Sequence, residues 1–114
     1  MKTLDQSYYC GASTTQIIYE TIGVYFDRIC GQYPDKDALV VRHQDVRWTY
    51  RELQQKVDEL AVGLLALGIE PGDRVGIWGP NSYEWVTVQL ATAKIGAIMV
   101  CINPAYRLMN LNLP

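Results

Sequence analysis

The second half of the chain, residues 72–107, alternates short apolar runs with one longer apolar segment. Residues 75–78 are apolar without alternation, which predicts a strand covered on both faces. Residues 82–95 are long enough for a helix and apolar around most of its circumference, so we predict a buried helix. A second apolar run at residues 97–102 completes the order strand, helix, strand. Because such units are right-handed with parallel strands, we predict a parallel βαβ unit.

The first half begins with a segment of a different kind. Residues 1–20 are polar, rich in Ser and Thr and without periodicity, and we interpret them as an extended arm. After them, Ile22, Phe26 and Ile29 fall on one face at helical spacing. We therefore predict a short helix at residues 21–30 that buries this face.

A hairpin and a second helix are predicted next. Two apolar runs, at residues 38–41 and 46–49, flank a polar turn, which is typical of a β-hairpin. Thr49 and Glu52 have the spacing of a capping box, in which each side chain accepts a hydrogen bond from the other residue's amide. Apolar residues then recur every three or four positions to about residue 67, which predicts an amphipathic helix.

Composition limits the possible functions. The 114 residues are 49% hydrophobic, which is ordinary for a globular protein. Ten Lys and Arg against twelve Asp and Glu give a net charge of -2, so we expect neither nucleic-acid binding nor a patch for anionic membranes. No run approaches the length of a membrane span. The N-terminus has neither the apolar region of a secretory signal nor the Arg-rich pattern of a transit peptide.

The residue types that usually carry chemistry are few. The three cysteines, Cys10, Cys30 and Cys101, are too widely spaced for a Cys-x-x-Cys metal pair. Cys101 lies in an apolar run and is expected to be a small core residue. His43 is the only histidine and is expected in the exposed hairpin turn, so we predict no metal site. The sequence contains neither a glycine-rich dinucleotide loop nor a Walker phosphate loop.

A βαβ unit binds ligands at the carboxyl ends of its strands. Here those ends are followed by residues 79–81 and 102–107. The amides that open the predicted helix can receive an anion, and Arg107 can pair with a phosphate or carboxylate. Each feature also has a structural interpretation, since Asn81 is a good helix cap and the Asn-Pro pair at 103–104 is a common turn. From local chemistry alone we favour the structural interpretation.

Several motifs resemble a known family in their order and spacing. They are Tyr33-Pro34 followed by residues 38–40, WTYREL at residues 48–53, residues 64–68, GDRV at residues 72–75, GPN at residues 79–81, and residues 91–107. Over residues 15–107 the chain resembles the N-terminal part of adenylate-forming acyl-CoA synthetases, which belong to the AMP-binding enzyme family. One short motif would be weak, but this ordered series is specific.

The resemblance implies an α/β fold that is part of the N-terminal domain of adenylate-forming enzymes. A β-hairpin plus helix would be followed by a parallel βαβ unit, after which the domain is truncated. Residues 21–107 are then the N-terminal portion of the AMP-binding domain, and residues 1–20 are the arm that precedes it. Residues 108–114 are expected to be a divergent tail, because the family continues there with an acidic, helix-forming segment.

The resemblance implies the activity of a medium-chain fatty-acid–CoA ligase. ATP and a carboxylate give an acyl-adenylate and pyrophosphate, and the thiol of coenzyme A then forms the thioester and releases AMP. Mg²⁺ assists the first step. The family's phosphate loop, acidic metal residue, ribose-binding Asp and late catalytic Lys have no counterparts among these residues. We therefore expect the chain alone to be inactive, to hold no catalytic residue and to bind none of these cofactors stably.

By position, the resemblance assigns only Ile102, Asn103 and Pro104 to a site, in the vicinity of coenzyme A. Fatty acid and coenzyme A are the expected partners of the parent enzyme. The expected compartment is the mitochondrial matrix, or the cytoplasm if no targeting segment is present. Two other hypotheses stay open. One is a non-catalytic short isoform that binds a protein partner through the helix at 82–95, and the other is a free-standing nucleotide-binding module.

Overall fold

The computed structural model describes residues 7–107, which contain three α-helices and four strands. The elements are α1 (Ile22–Gln32), β1 (Asp37–Val41), β2 (Val46–Thr49), α2 (Tyr50–Ala66), β3 (Arg74–Trp78), α3 (Tyr83–Ile95) and β4 (Ile98–Ile102). A 3-10 turn at Arg42–Gln44 joins β1 to β2. Residues 7–20 are exposed and form neither helix nor strand. The tail predicted at residues 108–114 lies outside the described residues.

The hairpin and the helix that follows it form as their local patterns predict. β1 and β2 pair antiparallel. Thr49 Oγ1 accepts from the Glu52 amide at 3.3 Å, and Glu52 Oε2 accepts from the Thr49 amide at 2.8 Å, so the predicted capping box is confirmed. Shortly after α2, Gly68 has a φ of 88°, a left-handed conformation that glycine adopts without strain.

The second half of the chain forms a parallel βαβ unit. β3 pairs with β4 in parallel, with Arg74 opposite Ile98 and Trp78 opposite Ile102. α3 connects the two strands. Hairpin, helix and βαβ unit follow one another in the predicted order, so the predicted α/β fold class is confirmed.

The core lies between the three helices and the hairpin. Its buried apolar residues come from all three helices: Phe26, Cys30, Leu53, Val57, Ala61 and Ala91. The partly buried apolar side chains that pack against this cluster come from β1, β2, α2 and α3. Among the described residues, β3 and β4 contribute none. The helical layer is therefore well packed on one side of the molecule, and the β3–β4 sheet lies at its margin.

A lysine joins the three helices. Lys94 Nζ in α3 lies 2.5 Å from Asp27 Oδ1 in α1 and 2.5 Å from Asp58 Oδ1 in α2. Gln54 in α2 also donates to Asp27 Oδ1, at 2.7 Å. Burial has the largest single effect on Lys94 and lowers its pKa. The hydrogen bonds and charges of the two carboxylates together outweigh burial, so the pKa of Lys94 lies above its ordinary value.

The buried face of α1 agrees with the predicted one in part, since Phe26 is buried and Ile29 is half-buried. Ile22 is 64% exposed, and the residues that face the core are Gly23, Phe26 and Cys30. The reason is the close approach of α3, since a Cβ at Gly23 would lie 3.1 Å from both Cα and Cγ of Lys94. Glycine has no side chain and so does not appear in a hydrophobic pattern. The periodicity therefore placed Ile22, and not Gly23, on the buried face.

Two predictions of burial in the βαβ unit are wrong for the described residues, and a third is confirmed in part. β3 is not covered on both faces, because exposure alternates along it and Trp78 is 47% exposed. Cys101 is exposed and is not a core residue. α3 fully buries Thr87, Ala91 and Thr92, and its other residues except Glu84 and Gln89 are half-buried, so the predicted buried helix is confirmed in part. Within residues 7–107, β3 and β4 form a two-stranded sheet, and the face that carries Trp78 has no layer packed over it.

Candidate functional site

The two loops that the sequence singles out meet at one edge of the βαβ unit. Because β3 and β4 are parallel and Trp78 lies opposite Ile102, both strands end at the same edge. Residues 79–82 lead from β3 into α3, and residues 103–107 follow β4. Ligands of open parallel sheets bind at this edge, so the two loops define the candidate site.

A glutamine from the hairpin turn holds the first turn of α3. Gln44 Oε1 accepts from the Tyr83 amide at 2.8 Å, and Gln44 Nε2 donates to Glu84 Oε2 at 2.9 Å. Ser82 occupies the N-cap position, but its side chain makes no capping hydrogen bond. Asn81, which the sequence offered as a cap, is therefore not the N-cap residue, and Gln44 satisfies the helix end from a distant loop.

Glu84 makes the start of α3 unfavourable for an anion. The hydrogen bond from Gln44, followed by one from the backbone, holds the pKa of the Glu84 carboxyl below its ordinary value. The carboxylate is thus charged at neutral pH, where it complements the helix dipole and repels a phosphate. With the Tyr83 amide already bound, this helix end is a structural cap, as the local interpretation favoured.

The three residues that the resemblance assigns to the coenzyme A vicinity have different surroundings. Ile102 is half-buried, and its Cδ1 lies 3.2 Å from the position that a Cβ on Gly76 would take. Asn103 and Pro104 are exposed. The Asn103 side chain accepts from the Ala105 amide at 2.9 Å, which closes a local turn. Ile102 therefore belongs to the sheet surface, and the other two residues form a turn at the strand end.

The groups that could carry out chemistry are not assembled at this edge. Within residues 7–107, no three His, Cys, Asp or Glu side chains are grouped as metal ligands. His43 is exposed in the 3-10 turn, as the hairpin pattern predicts. Cys30 is 2% exposed, and burial, followed by the charge of Asp27, raises the pKa of its thiol, so it stays protonated. The edge offers a turn, backbone groups, an apolar surface and the exposed side chain of Arg107.

Sequence reasoning missed two residues that organise this region, Gln44 and Lys94. Gln44 is 39 positions from Tyr83, and Lys94 is 67 positions from Asp27. Periodicity and capping rules act within a few residues, so they carry no signal for such pairs. Lys94 is the only basic residue of the largely apolar α3, and this was the available hint.

Comparison with known proteins identifies the family. The family described as AMP-binding enzyme matches residues 26–112. The chain belongs to the AMP-binding enzyme family. Medium-chain acyl-CoA ligase ACSF2, mitochondrial, from Pongo abelii is 48% identical over 105 residues, which are 92% of this chain and 17% of that protein. The protein of the same name from Homo sapiens is 47% identical over 105 residues, with the same coverage.

Solved structures agree with this assignment. A Mycobacterium tuberculosis fatty acyl CoA synthetase has a TM-score of 0.77 and 34% identity, over 80% of this chain and 18% of its own. The Klebsiella oxytoca NpsA N-terminal subdomain, in complex with anthranilyl-AMSN, has a TM-score of 0.74 and 33% identity, over 80% and 23%. These matches confirm the predicted resemblance to adenylate-forming acyl-CoA synthetases.

The matched region is most of this chain but a small part of each relative. The chain spans about 17% of the length of the curated relatives it matches. Within residues 7–107, no helix combines the length and the hydropathy that crossing a bilayer requires.

Proposed function

We propose that residues 21–107 are the N-terminal portion of a mitochondrial medium-chain fatty-acid–CoA ligase. Residues 1–20 precede it as an arm, and the family match extends to residue 112, so it includes most of residues 108–114. The observation that carries this proposal is the 47–48% identity to mitochondrial medium-chain acyl-CoA ligases over 92% of the chain. The parallel βαβ unit and its likeness to a fatty acyl CoA synthetase support it.

The reaction has two steps. The fatty-acid carboxylate attacks the α-phosphorus of ATP, which forms the acyl-adenylate and releases pyrophosphate. The thiolate of coenzyme A then attacks the acyl carbon, and AMP leaves with the electron pair of the broken carbon–oxygen bond. Most of the rate enhancement in such a reaction comes from holding the reactants in position and stabilising charge on the phosphates.

The described residues do not fit ATP or Mg²⁺. The Tyr83 amide at the start of α3 is occupied by Gln44, and Glu84 places a negative charge beside it. Residues 7–107 also contain no group of side chains that could hold a metal ion. We therefore assign ATP and Mg²⁺ to other segments of the parent enzyme, and we expect the 114-residue chain alone to be inactive.

The contribution of this chain to the site is positional. Asn103 and Pro104 form an exposed turn at the carboxyl end of β4, and Ile102 anchors that turn to the sheet. A turn that is closed by its own side chain presents its backbone groups at a constant position. We propose that coenzyme A passes beside this turn in the parent enzyme and is oriented by it.

A chimera tests the proposed function. Residues 26–107 of this chain replace the matched region of the human medium-chain acyl-CoA ligase, and octanoyl-CoA formation is followed with ATP, Mg²⁺ and coenzyme A. We expect turnover within about tenfold of the human enzyme, which is a barrier difference of about 1.4 kcal/mol. A folded chimera that forms neither adenylate nor thioester contradicts the proposal. Turnover by the 114-residue chain alone would contradict the assignment of ATP to other segments.

The same chimera tests the coenzyme A site. Asn103→Ala removes the hydrogen bond to the Ala105 amide and should raise the KM for coenzyme A about threefold to tenfold, as for one lost hydrogen bond, while the KM for ATP stays unchanged. Asn81→Ala makes the same chemical change in the neighbouring loop and should alter neither constant. Equal changes in both constants for Asn103→Ala would assign that residue a general structural role.

A second candidate function is a non-catalytic chain that binds a protein partner. The observation that favours it is the exposure of Trp78, Ile98 and Val100, at 47%, 49% and 39%. The sequence suggested α3 for this surface, whereas the exposed apolar residues lie on β3 and β4. A purified chain that stays monomeric and binds no apolar dye would count against this candidate.

A further inference from the structure

A glutamine in the hairpin turn is attached to the end of the loop that follows β3. Gln44 Oε1 accepts from the Tyr83 amide at 2.8 Å, and Gln44 Nε2 donates to Glu84 Oε2 at 2.9 Å. Both ends of the side-chain amide are therefore used, which fixes the orientation of the group. Because Gln44 is 39 positions from Tyr83, this link joins two elements that are distant in sequence.

An aromatic contact supports the same link. The ring of Trp48 in β2 lies 5.0 Å from the ring of Tyr83, with an angle of 67° between their planes. This is the edge-to-face arrangement that aromatic pairs prefer. Both residues are half-buried. The start of α3 is therefore attached to the hairpin at two places, one polar and one aromatic.

The loop at residues 79–82 is held at both of its ends. At its start, Trp85 Nε1 donates to the Gly79 carbonyl oxygen at 3.0 Å. At its end, Gln44 binds the Tyr83 amide. Trp85 belongs to the helix that Gln44 holds, so both attachments depend on the position of the first turn of α3. Gln44 therefore acts on the whole loop and not on one amide.

This loop lies beside the turn to which we assigned the path of coenzyme A. Trp78 and Ile102 are register partners in adjacent strands, and neighbouring strands lie about 4.8 Å apart. The loop after Trp78 and the turn after Ile102 therefore begin next to each other. The turn is closed by its own side chain, since Asn103 accepts from the Ala105 amide at 2.9 Å. The loop, in contrast, is held by Gln44 from the hairpin.

We propose that Gln44 is a positioning residue for the coenzyme A step of the ligase. By holding the first turn of α3, it sets the separation between the loop at residues 79–82 and the turn at residues 103–105. Coenzyme A passes between these two segments, which orient its thiol. A displacement of about 1 Å in such a segment can reduce a rate about a hundredfold. This inference rests on the proposed ligase function.

A helix cap without this role would have a different kinetic signature. Loss of a cap destabilises the helix and reduces the fraction of folded enzyme. A smaller folded fraction lowers kcat and leaves both KM values unchanged. A positioning residue at the coenzyme A path instead raises the KM for coenzyme A. The KM for ATP stays unchanged, because we assigned ATP to other segments of the parent enzyme.

Steady-state kinetics of the chimera that carries residues 26–107 test this role. Gln44→Ala removes both hydrogen bonds and should raise the KM for coenzyme A about threefold to tenfold, with the KM for ATP unchanged. Gln44→Glu keeps an acceptor for the Tyr83 amide but places a second carboxylate beside Glu84, so it should raise the same constant at least as much.

A reciprocal exchange provides the rescue. Combining Gln44→Glu with Glu84→Gln restores one donor and one acceptor, with their roles exchanged between the two residues. The KM for coenzyme A should then return to within about twofold of that of the unsubstituted chimera. Hydrogen exchange of the segment around Tyr83 should be about tenfold faster in Gln44→Ala, because its amide loses its partner.

A matched control is available in α2. Gln55 Nε2 donates to Glu59 Oε1 at 3.0 Å, so Gln55→Glu makes the same chemical change in another exposed glutamine–glutamate pair. Both residues of this pair lie within α2. Gln55→Glu should therefore leave both KM values and the hydrogen exchange around Tyr83 unchanged.

Four results would each overturn the role of Gln44. They are an unchanged KM for coenzyme A in a folded Gln44→Glu chimera, equal increases in both KM values, an equal effect of Gln55→Glu, and failure of the double substitution to restore the constant. Hydrogen exchange around Tyr83 that Gln44→Ala leaves unchanged overturns the attachment of the loop. An unsubstituted chimera that makes no thioester counts against the ligase function, whereas an active chimera that is insensitive to Gln44 counts against this inference alone.

Discussion

Replacing Lys94 by Met removes one charge from the junction of the three helices and keeps the length of the side chain. The ammonium group lies 2.5 Å from both Asp27 Oδ1 and Asp58 Oδ1, and it also lies 5.6 Å from the centre of the Phe26 ring. These contacts connect α1, α2 and α3. We therefore expect Lys94→Met to lower the free energy of unfolding.

The size of the loss follows from exposure. The Lys94 side chain is 13% exposed, whereas the side chains of Asp27 and Asp58 are 45% and 54% exposed. An exposed ion pair contributes about 0.2–1 kcal/mol, and loss of one partner of a fully buried pair costs about 3–5 kcal/mol. Because both carboxylates still reach solvent, each contact is expected to contribute about 0.5–1 kcal/mol. The expected total loss is about 1–2 kcal/mol.

Urea unfolding followed by circular dichroism measures this loss. Lys56→Met is the matched control, because Lys56 Nζ lies 3.3 Å from Glu59 Oε2 and both side chains are about half exposed. The control should lose no more than about 0.5 kcal/mol. The reasoning is refuted if both variants lower the free energy of unfolding by the same amount, or if Lys94→Met is as stable as the unsubstituted chain. In either case the buried position of Lys94 contributes no extra stability.

Two further predictions concern the same helix junction. Gly23→Ala should lower the free energy of unfolding by about 1–3 kcal/mol, because the new Cβ would lie 3.1 Å from Lys94. Gly31→Ala, whose new Cβ would have no atom within 4 Å, should raise it by about 0.5–1 kcal/mol. Urea unfolding that ranks the two variants the other way would contradict the close approach of α1 and α3. Stability should also depend on pH. Burial is the largest single effect on Asp27 and raises its pKa, but the hydrogen bonds from Lys94 and Gln54 together hold that pKa below 3.8. The charged Asp27 carboxylate therefore stabilises the fold above pH 3.8, and this stabilisation is lost as the pH falls below that value. The raised pKa of Lys94 contributes stability below 10.5 that is lost as the pH rises beyond it. An equally steep acid loss in Lys94→Met would argue against the assignment to Asp27, and an equally steep alkaline loss would argue against the assignment to Lys94.

The elements of the fold could be predicted because their signals are local. The capping box of Thr49 and Glu52 spans three residues, and the structure contains both of its hydrogen bonds. The hairpin and the parallel βαβ unit follow from short apolar runs separated by turn residues. Each of these patterns depends on residues that are close in sequence, so each could be recognised from the sequence alone.

The contents of the candidate site could not be predicted in the same way. The strand ends were located correctly, because a parallel pair must end at one edge. The cap of α3 was not, because Gln44 reaches Tyr83 across 39 positions and competes successfully with the nearby Ser82. The vicinity of coenzyme A at Ile102, Asn103 and Pro104 remains a prediction from family resemblance.

The errors of burial have a common cause that bears on the nature of this chain. In the helical layer, apolar periodicity and observed burial agree at Leu53, Val57 and Ala61. In β3 and β4, the sequence has the unbroken apolar character of strands covered on both faces, yet Trp78 and Val100 are exposed. A foldable sequence is consistent between local pattern and environment, so the disagreement in β3 and β4 indicates an environment that the described residues do not supply. The apolar pattern of β3 and β4 thus describes a larger sheet, and the completion of that sheet is the physical condition for this region to act as part of an AMP-binding enzyme.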